Sequence, residues 1–142
     1  MTREDLKNYR YSQKWIKEQL ERYEEQRSIA VSISQNLDGM PKAQNKPNYA
    51  LEELIDKYDE ILQLLIKDQE KQNQIVLQLR QMEQPYRNIL HDKYIIGKSL
   101  ETIASEMPRA YENVCRMHGT ALNMFDELDE KLKSSVNIKT NQ

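Results

Sequence analysis

The sequence has little that would break a chain into turns: 3 glycines and 4 prolines in 142 residues. An all-β sandwich needs a turn signal about every ten residues, and an α/β enzyme needs glycine-rich loops, so both architectures are excluded. Cys115 is the only cysteine, which rules out an intramolecular disulfide framework and a thiolate zinc site and fits a reducing cytosol. Long hydrophobic runs are missing too. No stretch approaches the ~20 apolar residues that span a bilayer, and Met1 to Arg10 has no signal-peptide core. Nor does one sign of charge dominate, since 21 Lys and Arg stand against 23 Asp and Glu. The expectation is a mostly helical, cytoplasmic protein with no membrane partner.

What the sequence has is periodicity. Leu6, Tyr9, Gln13, Ile16, Leu20, Tyr23, Arg27 and Ala30 recur at spacings of three and four, with charged residues between them. This is an amphipathic helix with a narrow, coiled-coil-like seam, and Thr2 is placed to cap it. Asn36 to Asn48 then brings Gly39, Pro41 and Pro47 together and reads as a connector. A second seam follows at Leu51, Leu54, Tyr58, Ile61, Leu65, Asp68, Gln72, Ile75, Leu79 and Met82. With no Gly or Pro from Tyr49 to Gln84, one helix of about 35 residues would run ~50 Å. Two such helices joined by a short loop predict an antiparallel hairpin over residues 1–84. Its thin core predicts a homodimer formed through residues 4–84. Asp68 and Gln72 either set register in that seam or face solvent.

Pro85 marks a boundary, and beyond it the seven-residue repeat stops. Shorter helices are expected at about Tyr86 to Ile96, Leu100 to Met107 and Tyr111 to Lys133, with residues 134–142 a disordered tail. Gly97 is suited to end the first of these and Ser99 to cap the second. Pro108-Arg109-Ala110 makes a tight turn, and Val114 and Met117 would anchor the third helix on the second. Arg109, Tyr111, Glu112, Asn113, Arg116 and Thr120 are then left pointing outward, on the part of a recognition helix that enters a major groove.

The run SLETIASEMPRAYENVCRMHGTAL resembles the helix-turn-helix of region 4 in sigma-70-type RNA polymerase factors. The matching features are the SLETIA helix, the spacing of Glu112 and Val114, and the closing Ala121-Leu122. This likeness covers residues 85–128. With its helical front and Gly39-Met40-Pro41 connector, the whole chain is also similar to short phage and prophage proteins of Gram-positive bacteria, neighbours of the ArpU- and RinA-type regulators of late genes. The resemblance implies an all-α protein, a helical hairpin over 1–84 and a helix-turn-helix over 85–133. It further implies a DNA-binding transcription regulator that acts on double-stranded DNA with host RNA polymerase. Carried over by position, Tyr111, Glu112, Asn113 and Arg116 would face bases and Arg109 a phosphate. Pro108 stands where such turns usually have Gly, Ala110 where Ser or Thr usually caps, and Asn113 where Arg is common.

Glu112 would accept from a cytosine amino group and Arg116 would pair with a guanine edge; the alternative is that both are ordinary surface positions. Tyr111 would reach a thymine methyl or a phosphate, or pack back on the turn. Charge favours a second reading. From Pro85 to Gln142 eight Lys and Arg (87, 93, 98, 109, 116, 131, 133, 139) balance eight Asp and Glu (92, 101, 106, 112, 126, 127, 129, 130). Nucleic-acid binders carry a basic excess, so the alternative is a protein-interaction adaptor that keeps the sigma-like fold without reading DNA. Catalysis is not expected, because no nucleophile–base pair, phosphate loop or carboxylate dyad is present. His91 and His118 lack neighbours at metal-ligand spacing, so neither metal nor cofactor is expected.

Overall fold

The computed structural model describes residues 1–37 and 49–140, and every regular element in them is helical. Six α-helices follow in order: α1 (Arg3–Lys7), α2 (Tyr9–Leu37), α3 (Tyr49–Arg80), α4 (Tyr86–Leu90), α5 (Leu100–Glu106) and α6 (Tyr111–Thr140). Between α4 and α5 lies a π-helical stretch, His91–Ile96. Most of the expected connector, Asp38 to Asn48, lies outside the described residues.

The chain divides into two compact units. One is Gln13–Glu70 and holds most of α2 and α3. Seam residues Ile16, Tyr23, Ala30 and Leu65 are buried in it, as the three-four spacing predicts. Tyr23 meets Tyr58 edge to face with ring centroids 6.1 Å apart, and its hydroxyl donates to Asp59 Oδ1 at 3.5 Å. Other apolar side chains of these helices face solvent: Trp15, Leu20, Ile29, Val31, Leu54, Ile55, Ile61, Leu64 and Ile66 are all exposed.

The other unit is Met1–Ser12 together with Lys71–Gln142. Its division from the first falls within α2 and α3, whereas the sequence places a boundary at residue 84. Packing explains the difference. Leu6, Ile75, Leu79 and Met82 form one core with Leu90, Ala121, Leu122 and Phe125, so α1 and the C-terminal end of α3 are consumed in covering α6, with Tyr9 at the start of α2 packed at the margin. Gln78 is buried at this junction and donates through Nε2 to the carbonyls of Met1 and Phe125, both at 2.9 Å. Two backbone acceptors far apart in sequence are thereby tied to one side chain of α3.

Local chemistry sets the ends of the short helices. Thr2 caps α1, its amide donating to Asp5 Oδ2 at 2.8 Å. Pro85 is the N-cap of α4. Gly97 takes φ +97°, the left-handed conformation that glycine adopts without steric cost, and its amide and that of Lys98 both donate to the Asp92 carbonyl, at 2.9 and 2.8 Å. Ser99 caps α5, accepting from the Thr102 amide at 3.1 Å. At the far end α6 continues to Thr140, past Lys133 where a disordered tail is expected. No Gly or Pro follows Gly119, and extending a helix already nucleated fixes only one residue per added bond.

Candidate functional site

Leu100 to Thr120 forms two helices held at a tight turn. Ile103 and Ala104 of α5 and Val114 of α6 are buried with Ile89 in a small second core, with Leu100, Met107 and Met117 packed at its margin. Ala104 is small where α5 meets α6. The turn is fastened by the backbone, the Arg109 amide donating to the Ala104 carbonyl at 3.1 Å and the Val114 amide to the Ala110 carbonyl at 3.1 Å. Pro108 has φ +21°, at the edge of the region where a glycine is at ease and far from the −65° or so that a proline ring prefers.

All six residues singled out from the sequence are exposed: Arg109, Tyr111, Glu112, Asn113, Arg116 and Thr120. Burying Val114 turns the opposite side of α6 outward, and Glu112, Arg116 and Thr120 recur there at spacings of four. Among the described residues, the side chains of Glu112, Asn113 and Arg116 make no ion pair, so their polar groups are free for a ligand. The other three are partly engaged. Arg109 Nη1 lies 3.5 Å from Met117 Sδ, which lays the guanidinium along α6. Thr120 Oγ1 donates to the Arg116 carbonyl at 3.2 Å. The Tyr111 hydroxyl is held above its ordinary pKa chiefly by hydrogen bonding with the Cys115 thiol one turn on.

The second unit contributes something that the periodicity did not signal: residues 1–12 pack beside the distal half of α6. Arg3 donates through Nε to Asp126 Oδ2 and through Nη2 to Asn123 Oδ1, the latter at 2.8 Å. The N-terminal ammonium pairs with Asp129, and Lys133 Nζ approaches the same carboxylate at 3.1 Å. These partners hold the Asp129 carboxyl below the usual carboxylate range, the hydrogen bond from the N-terminus being the largest influence. The Tyr94 hydroxyl and His118 Nε2 share a hydrogen bond of 2.7 Å. Burial lowers the His118 pKa first, and the charges of Lys93, Lys7 and Arg3 lower it further. No local pattern signalled such a role, because the partners lie more than 100 residues apart in sequence. Among the described residues, no three His, Cys, Asp or Glu side chains converge as metal ligands, and no helix is long and apolar enough to cross a membrane. Comparison with protein-family models, with curated proteins and with solved structures gave no match.

Proposed function

We propose that this chain is a DNA-binding transcription regulator of the phage or prophage type, acting on late genes together with host RNA polymerase. The helix beginning at Tyr111 enters the major groove, with α5 and the turn at Pro108 setting its angle. The observation that carries this reading is the exposed, unpaired set of Glu112, Asn113 and Arg116 on a helix whose opposite side is locked down by Val114. Arg116 pairs with a guanine edge, Glu112 accepts from a cytosine amino group, and Arg109 meets a phosphate at the start of the helix. The exposed apolar residues of α2 and α3, among them Ile29, Ile61, Leu64 and Ile66, support a homodimer formed through residues 4–84 by an antiparallel helical hairpin. Two such units on one dimer read two half-sites, and linkage raises their joint affinity over that of either alone.

The test is binding of the full chain to the DNA upstream of its neighbouring operon, measured by fluorescence anisotropy across salt and protein concentration. The expected result is saturable, salt-sensitive binding that selects this DNA over unrelated duplex, and that weakens at protein concentrations where sedimentation shows the dimer dissociating. Loss of selectivity in Arg116→Ala is expected with it. Absence of selective binding at every dimer concentration overturns the reading. The charge balance of residues 85–142 favours the adaptor in that event, with the same exposed ridge meeting a protein partner.

A further inference from the structure

The balance of charge changes once residues are grouped by what packs together. Residues 1–12 bring Arg3, Lys7 and Arg10 against Glu4 and Asp5, and residues 71–84 bring Lys71 and Arg80 against Glu83. Each segment adds one positive charge to the neutral stretch from Pro85 onward. Where this charge sits matters more than its amount.

Arg116, Thr120 and Asn123 recur at spacings of four and three, so they share one stripe of α6. Arg3 reaches the end of that stripe by its bond to Asn123. Helical winding continues from α1 into α2, because the Asn8 amide donates to the Glu4 carbonyl at 3.0 Å and the Ser12 amide to the Asn8 carbonyl at 2.9 Å. Arg3, Lys7 and Arg10, again at four and three, therefore lie along one side of this segment. The Arg10 guanidinium rests against Gly97, so closely that a methyl group at that glycine would overlap it. From the π-helical stretch, Lys93 Nζ comes within 5.7 Å of the centre of the Tyr94 ring, whose hydroxyl bonds His118 on α6.

We propose that Lys7, Arg10 and Lys93 form a phosphate-binding strip beside the exposed stripe of α6, meeting the sugar-phosphate backbone of the double-stranded DNA whose groove α6 reads. The inference rests on the DNA-binding reading above and assigns to it three residues, two of them from outside the sigma-like segment. Arg3 is not part of the strip, because its guanidinium is committed to Asp126 and Asn123. Lys7 has a carboxylate of Glu4 at 3.8 Å on the open surface, a pairing that a phosphate displaces readily. Among the described residues, Arg10 and Lys93 form no ion pair. Asp92, the acid next to Lys93, has its carboxylate 3.5 Å from His91 Nδ1. Flexible lysine and arginine stems give the strip reach toward a phosphate.

The test compares wild type, a neutralising variant (Lys7→Gln, Arg10→Gln and Lys93→Gln together) and a charge-keeping variant (Lys7→Arg, Arg10→Lys and Lys93→Arg together), all in the full chain. Each is titrated onto a labelled duplex of arbitrary sequence and onto the upstream DNA, at roughly 50 to 250 mM salt. The neutralising variant is expected to lose about tenfold or more in affinity for both duplexes at the same salt, with its slope of log K against log salt flatter by about 0.9 for each phosphate that is no longer neutralised. The ratio between the two duplexes is expected to hold, and the charge-keeping variant to follow wild type in slope. An unchanged slope in the neutralising variant, while wild type still selects the upstream DNA, overturns the strip and leaves the function standing. Equal losses in both variants overturn it too, since the effect would then be structural. If wild type binds neither duplex, the DNA-binding reading and the strip fall together.

Discussion

Among the described residues, Asp129 is the one buried carboxylate, and it fixes the N-terminal segment to α6. Replacing it by Asn keeps the shape and one acceptor oxygen while removing the charge opposite the N-terminal ammonium. A hydrogen bond to a charged group contributes about 1.5–3 kcal/mol, of which an amide oxygen retains a part. The contact to Lys133 adds little, because that side chain is two-thirds exposed (67%). Asp129→Asn is therefore expected to cost about 1–2 kcal/mol at neutral pH. The carboxyl is held below its unfolded value near 3.9, so its contribution is complete above that value and disappears as pH falls through the lower folded one. Wild type and variant should accordingly differ at neutral pH and converge in acid. Urea unfolding followed by far-UV circular dichroism, at about pH 7 and about pH 3 and at one protein concentration, reads the difference directly. Equal stability at neutral pH, or a deficit of the same size in acid, would refute the assignment of this ion pair.

Two further substitutions test the scaffold beneath the ridge. Gly119 lies inside α6 with nothing within 4 Å of where a Cβ would stand, so Gly119→Ala should raise stability by about 0.8–1 kcal/mol; a fall in melting temperature would contradict it. Ile103 is fully buried against Val114, so Ile103→Ala should cost about 2–4 kcal/mol and lower hydrogen-exchange protection at the start of α6. A cost under about 1 kcal/mol would show that α5 does not brace α6.

Much of the helical content is legible in the sequence because it is written in short-range pattern. The three-four repeat of Ile16, Tyr23 and Ala30 identifies side chains that are buried, and Ser99 and Gly97 mark helix ends by chemistry that acts within a few residues. Val114 is legible as the anchor of the last helix for the same reason. The π-helical stretch is not, since His91 to Ile96 has no residue that distinguishes a wider winding from an ordinary turn of helix. The continuation of α6 to Thr140 escapes a sequence reading because a polar composition suggests a tail, whereas the absence of a breaker lets the winding run on. Least legible is the partner of α6's acidic half. Asp126 and Asp129 enter a sequence reading only as two acids in a charge count, yet Arg3 and the N-terminal ammonium meet them from the opposite end of the chain.

That last point bears on how charge should be counted for a groove-reading helix. A tally over residues 85–142 treats Asp126 and Asp129 as free negative charges that would repel a phosphate backbone. In the folded unit both are paired, so the field they project is close to that of a dipole and falls off quickly with distance. Arg116 near the start of α6 and Arg109 in the turn before it are beyond the reach of that cluster in ~0.1 M salt, where screening acts over ~10 Å. Residues 1–12 also bring in Lys7 and Arg10, the Arg10 guanidinium resting against Gly97. With Lys7 and Arg10 in the proposed strip, a phosphate backbone on the exposed stripe would meet cations of residues 1–12 as well as Arg116. Truncating the first twelve residues would uncover Asp126 and Asp129 while removing three cations and two acids. The electrostatic case for DNA thus depends on the N-terminal segment as much as on the helix that would read the bases.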